Sequence, residues 1–148
     1  MAIRRVKTSG NVTEVLERGS ITPPSEYIRD IIKKDIPANS TNTVLFKGNI
    51  PVGQYHSLFL NVTILDTTSN GSTVAAMAGS LYNNAGTIDG DLGIIGAATI
   101  DQGTGDFSTN LITVTKTGNT YTLDADSSST DNLVYIVDFT VISTARSL

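Results

Sequence analysis

The chain contains no cysteine and no tryptophan, one histidine and two methionines among its 148 residues. Without cysteine there is no disulfide framework, no thiolate metal site and no cysteine nucleophile. His56 is the only imidazole, so a catalytic triad or a histidine-rich metal centre would have a single nitrogen ligand or base to draw on. Charged residues make up only 16% of the chain while 39% is hydrophobic, the reverse of a disordered composition. Apolar runs are short: no stretch approaches the roughly 18 residues that a membrane-spanning helix needs, so membrane insertion is not expected. Met1 to Gly10 is basic but leads into no apolar segment, which is not the pattern of a secretory signal.

What charge there is falls unevenly. Residues 1–50 hold eight Lys/Arg against five Asp/Glu; residues 51–148 hold two against nine acids, every one of them Asp. Aspartate favours turns because its short side chain bonds to nearby backbone. The pattern predicts a strand-and-turn body with acids at its corners, preceded by a basic segment of different character. We divide the chain accordingly into an N-terminal arm with a short helix, residues 1–43, and a β-domain, residues 44–148.

Residues 1–24 carry scattered apolars without a period and read as an extended arm that cannot hold itself folded. After Pro23-Pro24-Ser25, the apolar residues Tyr27, Ile28, Ile31 and Ile32 fall at i, i+1, i+4 and i+5. That spacing predicts an amphipathic helix over 26–34, with Glu26 and Lys33-Lys34 placed to suit its dipole and Pro37 ending it. From Val44 the texture is β. Leu58, Leu60, Val62 and Ile64 alternate with Phe59, Asn61, Thr63 and Leu65, and Asn70-Gly71 signals a hairpin into Val74 to Tyr82. Further strands are read around Val44–Phe46, 90–101, 111–116, 120–123 and 133–142, separated by glycine-bearing turns. Seven or eight short strands without alternating helices predict an antiparallel β-sandwich, jelly-roll-like, not a parallel α/β sheet.

Chemistry-bearing residues are sparse. His56, beside Tyr55 at a strand entry, reads as a half-exposed strand residue. Asp89-Gly90-Asp91 and Asp124-Ala125-Asp126 are paired acids of the kind that can serve calcium, but neither extends into an EF-hand loop, so both read as solvated turn acids and no metal or cofactor is expected. Glycoside hydrolysis needs two placed carboxylates, and the chain has no Trp on which to stack a sugar. Gly10-Asn11 opens no phosphate loop. Arg4, Arg5 and Lys7 form a small basic cluster without interleaved aromatics, ahead of an acidic body, and nucleic acid is not an expected partner. The expectation is that the chain is not an enzyme.

The long hairpin Leu58-Phe59-Leu60-Asn61-Val62-Thr63-Ile64-Leu65-Asp66, its Thr/Ser/Asn-Gly turn, Val74-Ala75-Ala76, Leu81-Tyr82 and the Gly86-Thr87 loop together resemble a β-sandwich module of tailed-bacteriophage structural proteins. Gly118-Asn119-Thr120-Tyr121-Thr122-Leu123 is similar to its short inner strand, and Leu133 to Ser143 to its last strand. The resemblance covers about residues 55–145; residues 1–50 do not resemble a long fibre shaft, which leaves capsid decoration open beside a tail-fibre role. It implies a virion component, assembled in the host cytoplasm, that forms a homo-oligomer, often a trimer, and attaches to other virion proteins through its N-terminal segment. Arg4, Arg5, Lys7, Tyr27, Ile28, Ile31 and Ile32 are the expected interface residues. Deleting residues 1–36 should then leave a folded body that no longer assembles. The alternative is a receptor-binding or carbohydrate-binding module at the tail tip, with a host surface glycan as partner.

Overall fold

The structure is a computed structural model; it describes residues 2–8, 11–17, 26–40, 42–100, 112–125 and 130–145. Every regular element among them is a strand: β1 (Ala2–Thr8), β2 (Asn11–Glu17), β3 (Glu26–Ile36), β4 (Thr43–Asn49), β5 (Gln54–Asp66), β6 (Ser72–Asn84), β7 (Thr87–Ile100), β8 (Thr113–Thr117), β9 (Thr120–Ala125) and β10 (Leu133–Ala145). All pairing is antiparallel: β1 with β2, a five-stranded sheet in the order β3-β10-β5-β6-β7, and a three-stranded sheet in the order β4-β9-β8.

The predicted helix over 26–34 is absent: these residues form β3, paired with β10 from Glu26↔Ser143 to Ile36↔Leu133. The apolar spacing that suggests a helix fits a strand as well. Ile28, Ile32 and Ile36 share the parity of a period-two face, and Tyr27 and Ile31 share the other. Three β-branched isoleucines lower helix propensity, and a segment this short is too brief to stabilise an isolated helix in water. The β10 backbone offers eleven residues of ladder instead. A cut after residue 36 would therefore remove a strand of the sheet. Of the segment expected to be an arm, residues 2–8 and 11–17 pair with each other as β1 and β2.

Alternation along β5 explains the body. His56, Leu58, Leu60, Val62, Ile64 and Asp66 are buried, while Phe59, Asn61 and Leu65 are exposed. The same period runs along β10, where Leu133, Tyr135, Val137, Phe139 and Val141 are buried. These inner faces, with Ala75, Met77 and Leu81 of β6, form one apolar core with Tyr121, Leu123 and Ala125 of β9. Phe46 of β4 bridges the layers, its ring 4.9 Å from Phe139 and 6.2 Å from Tyr121.

Turn chemistry fixes the registers. At the β5–β6 connection Asp66 Oδ1 accepts the backbone N–H groups of Thr68 and Ser69, both at 2.8 Å, and Asn70 takes the left-handed conformation. Between β6 and β7 both turn residues, Ala85 and Gly86, have positive φ, as a tight hairpin matched to strand twist requires. Asn83, fully buried, ties three loops together: its Nδ2 donates to the Ile50 carbonyl at 2.6 Å and to Asn119 Oδ1 at 2.8 Å, and its Oδ1 accepts from Gly86 N at 2.8 Å.

Candidate functional site

The five-stranded sheet has a second face, and the three-stranded sheet does not cover it. Tyr27 and Ile31 of β3, Phe59 and Leu65 of β5 and Val74 of β6 project there, 37% to 65% exposed. Register places Phe59 between Thr140 and Ala78, with Arg29 and Gly93 beyond them. The next row runs Ile31, Asp138, Asn61, Ala76, Gly96. Tyr55 and Tyr82 stack at one end of this face, ring centroids 4.3 Å apart. Fixed charge lies near its margins: Lys33 and Asp35 on edge strand β3, Asp89 and Asp91 on edge strand β7, and Arg29, which reaches Asp138 at 3.4 Å. At the β7 edge a bulge opposite Ala76 and Met77 leaves Ile95 72% exposed. Exposed apolar side chains thus lie on the edge strand (Tyr27, Ile31) and on inner strands (Phe59, Val74), interspersed with Asp138, Asn61 and Thr140; large apolar side chains left open on a sheet face make it a candidate interaction surface.

The expected interface residues divide. Tyr27 and Ile31 lie on this outer face; Ile28 and Ile32 are half-buried and pack against the core. Arg4, Arg5 and Lys7 are on β1, opposite Val15, Glu14 and Val12 of β2; their side chains lie outside the described residues. Phe59, Leu65 and Val74, which the sequence reading did not single out, complete the surface. Their signal was available: each shares the parity opposite to the buried run of its strand.

A second feature is a cavity of about 380 Å³ at the end of the molecule where β5 begins. Ile28, Phe46 and Val141 give it an apolar floor, and Lys47, Asn49, Gln54, His56 and Ser143 its polar groups. His56 is 5% exposed, not half-exposed as expected. Its even parity with Leu58 and Leu60 places it on the inner face, and Nδ1 lies 3.0 Å from the Tyr121 hydroxyl, the rings edge to face. Gly48, the cross-strand partner of Tyr121, makes this possible: a Cβ there would collide with the Tyr121 ring. Ser143 Oγ donates to Gln54 Oε1 at 3.2 Å. The site offers hydrogen-bonding groups around an apolar floor.

The expected turn acids also divide. Asp89 and Asp91 are exposed. Asp124 is buried on β9 and accepts a hydrogen bond from Thr122 Oγ1 at 2.8 Å, so it is not a solvated corner. Asp126 lies outside the described residues. Asp66, at the far end of β5, is 3% exposed. Burial works against its ionisation, but the Ser69 and Thr68 N–H groups and the Asp131 carboxyl outweigh that and hold it below the ordinary carboxylate range.

No family model matches this sequence, and no curated protein matches it. Among solved structures the chain is similar to the tailspike protein of Acinetobacter baumannii phage AM24, with a TM-score of 0.52 at 15% identity, over 82% of this chain and 27% of that one. The tailspike protein of Acinetobacter phage vB_ApiP_P1 follows, with a TM-score of 0.43 at 18% identity over 88% of this chain and 24% of that chain. A tailspike protein of Acinetobacter baumannii bacteriophage Fri1, described as a capsular polysaccharide depolymerase, gives 0.39 at 14% identity over 97% and 20%. The chain spans about a quarter or less of the length of these proteins. The likeness to the phage AM24 protein is one of fold.

Proposed function

We propose that this chain is a non-catalytic structural module of a bacteriophage virion, a β-sandwich component of the tail that assembles as a homo-oligomer through the open face of its five-stranded sheet. The observation that carries this reading is the shared fold with part of the phage AM24 tailspike protein over 82% of the chain, beside a sheet face bearing exposed Tyr27, Ile31 and Phe59 that nothing in the chain's described residues covers. Five strands about 4.8 Å apart, paired over eleven residues at about 3.3 Å each, present on the order of 900 Å². A stable interface takes about 800 Å² from each partner. The small residues Ala76, Ala78, Gly93 and Gly96 allow close approach, and Phe59, Ile31 and Tyr27 supply the projections. In this reading three copies associate, and the segment bearing Arg4, Arg5 and Lys7 contacts other virion proteins; a place on the capsid surface is the variant of the same role.

Two measurements test it. The native mass of the purified chain should be that of three copies, and immunogold labelling of virions should fall on the tail. A chain that stays monomeric at high concentration, or particles that carry no label, would overturn the proposal. A second reading, a carbohydrate-binding module, is favoured by the cavity with Lys47, Asn49, Gln54, His56 and Ser143 around an apolar floor, the usual make-up of a small-ligand site. A glycan array with no binding at millimolar sugar would remove it.

A further inference from the structure

We propose that the outer edge of β7 receives strand β1 of a neighbouring copy, so that the β1–β2 hairpin of one chain extends the five-stranded sheet of the next. The inference rests on the homo-oligomer proposed above and gives the segment bearing Arg4, Arg5 and Lys7 a partner. Among the described residues β7 ends its sheet, paired with β6 alone. An edge strand offers a row of backbone groups ready to pair with another chain, and proteins blunt such edges with charge or proline. From Leu92 to Ile100 β7 carries neither. Residues 93–98 are all exposed, with Ile94 at 47% and Ile95 at 72%. The bulge at Ile95 interrupts the run.

Charge selects both the edge and its occupant. β3, the opposite edge, carries Glu26, Arg29, Asp30, Lys33, Lys34 and Asp35, a mixture that discourages pairing. β4 and β8, the edges of the three-stranded sheet, carry Lys47 and Lys116 and no acid. β7 has Asp89 and Asp91 and no base. β1 is its complement, with Arg4, Arg5 and Lys7 and no acid. β1 and β2 pair with each other and with no strand of the larger sheets. A lone two-stranded hairpin is marginal in water, so this one gains stability by docking. Antiparallel pairing, the rule throughout the described residues, sets Lys7 across from Asp91 and Ile3 toward Ile95. That arrangement is out of reach within one copy. With β1 and β2 added beyond β7, β2 stands six strand spacings from β3, about 29 Å, and Glu17 lies about 20 Å along the strands from Glu26. The separation of roughly 35 Å exceeds the roughly 32 Å that the nine steps from Glu17 to Glu26 can span. A hairpin passed to the next copy is a head-to-tail contact, the kind that closes into a ring.

The test uses the unchanged full chain. Unlabelled and ¹⁵N-labelled protein are mixed dilute, concentrated together and treated with a zero-length carbodiimide, which joins an amine to a carboxylate it touches. Mass spectrometry should find Lys7 linked to Asp89 or Asp91, with hybrid links between the two labels about as abundant as links within one. Ile95→Lys, which puts a charge on the open edge, should weaken self-association by at least about tenfold in sedimentation and leave the urea midpoint unmoved. Lys7→Asp and Asp91→Lys should each weaken association, and the double swap should restore it. An oligomer that yields no such link, or links confined to one label, overturns the proposal and leaves the contact through the outer sheet face standing. Association of Ile95→Lys equal to that of the parent also overturns it. A chain that stays monomeric overturns this inference and the proposed function together. If a variant fails to fold, the cross-links of the unchanged chain decide alone.

Discussion

The two faces of the five-stranded sheet are made from alternate residues of the same strands, yet only one is covered. On the inner face Leu58, Leu60, Val62 and Ile64 are at most 3% exposed, sealed by the three-stranded sheet. On the outer face Phe59 keeps 50% of its surface, although it is larger and no more polar than its neighbours in the chain. Burial is thus set by what lies opposite a residue rather than by its own hydrophobicity. The inner face holds the fold; the outer face is left open by the described residues and is the one through which we propose self-association. Four substitutions separate the two roles, in descending order of effect on folding.

Leu60→Ala strips the centre of the inner face and should cost about 3 kcal/mol of stability, lost transfer energy plus a cavity, read from the urea midpoint. A cost below about 1 kcal/mol would mean that the inner face is not close-packed. Asn83→Ala removes the donor to the buried Ile50 carbonyl and the acceptor for Gly86 N, and should cost about 2 kcal/mol by the same measurement. It also unties the loops at that end, where hydrogen exchange of residues 50–53 should rise. Ala85→Asn touches neither face. Ala85 sits at φ 52°, a conformation that asparagine tolerates far better, so stability should rise by about 0.5–1 kcal/mol while association is unchanged. Phe59→Ser should leave the folded monomer within about 0.5 kcal/mol of the parent but weaken self-association by at least about tenfold, seen by sedimentation. Equal association of the Phe59→Ser variant and the parent would show that the outer face is not the contact.

Much of the fold is legible in the alternation. Period-two runs place β5 and β10, and turn signals place β6 and β9, within two or three residues of their ends, and the turns carry the glycine and asparagine that their backbones require. β3 is misread because short apolar sets at i, i+1, i+4, i+5 satisfy both periods, and only the open edge of β10 decides between them. The buried polar residues are misread for a related reason. His56, Asp66 and Asp124 have polar types that argue for exposure. His56 and Asp66 nonetheless share the even, inward face of β5 with Leu58 and Ile64. Asp124 is enclosed at the end of β9, where Leu123, Asp124 and Ala125 are buried in succession. Parity reveals the first two; nothing local reveals the third. The outer-face surface is half legible, since Tyr27 and Ile31 stand out as apolar while Phe59 and Val74 read as ordinary strand residues until their partners across the sheet are known.

By itself the sequence determined the class of the protein: all-antiparallel β from residue 44, with hairpins where Asn-Gly, Ala-Gly and Gly-Asn permit left-handed backbone, because side-chain period and turn conformation are local properties. Tertiary structure alone decided which face of the five-stranded sheet is sealed, that residues 26–36 join the sheet, and that Asp66 and Asp131, 65 residues apart in the chain, both accept hydrogen bonds from Ser69. Those outcomes depend on pairings between distant segments, whose energies are settled only when the strands meet.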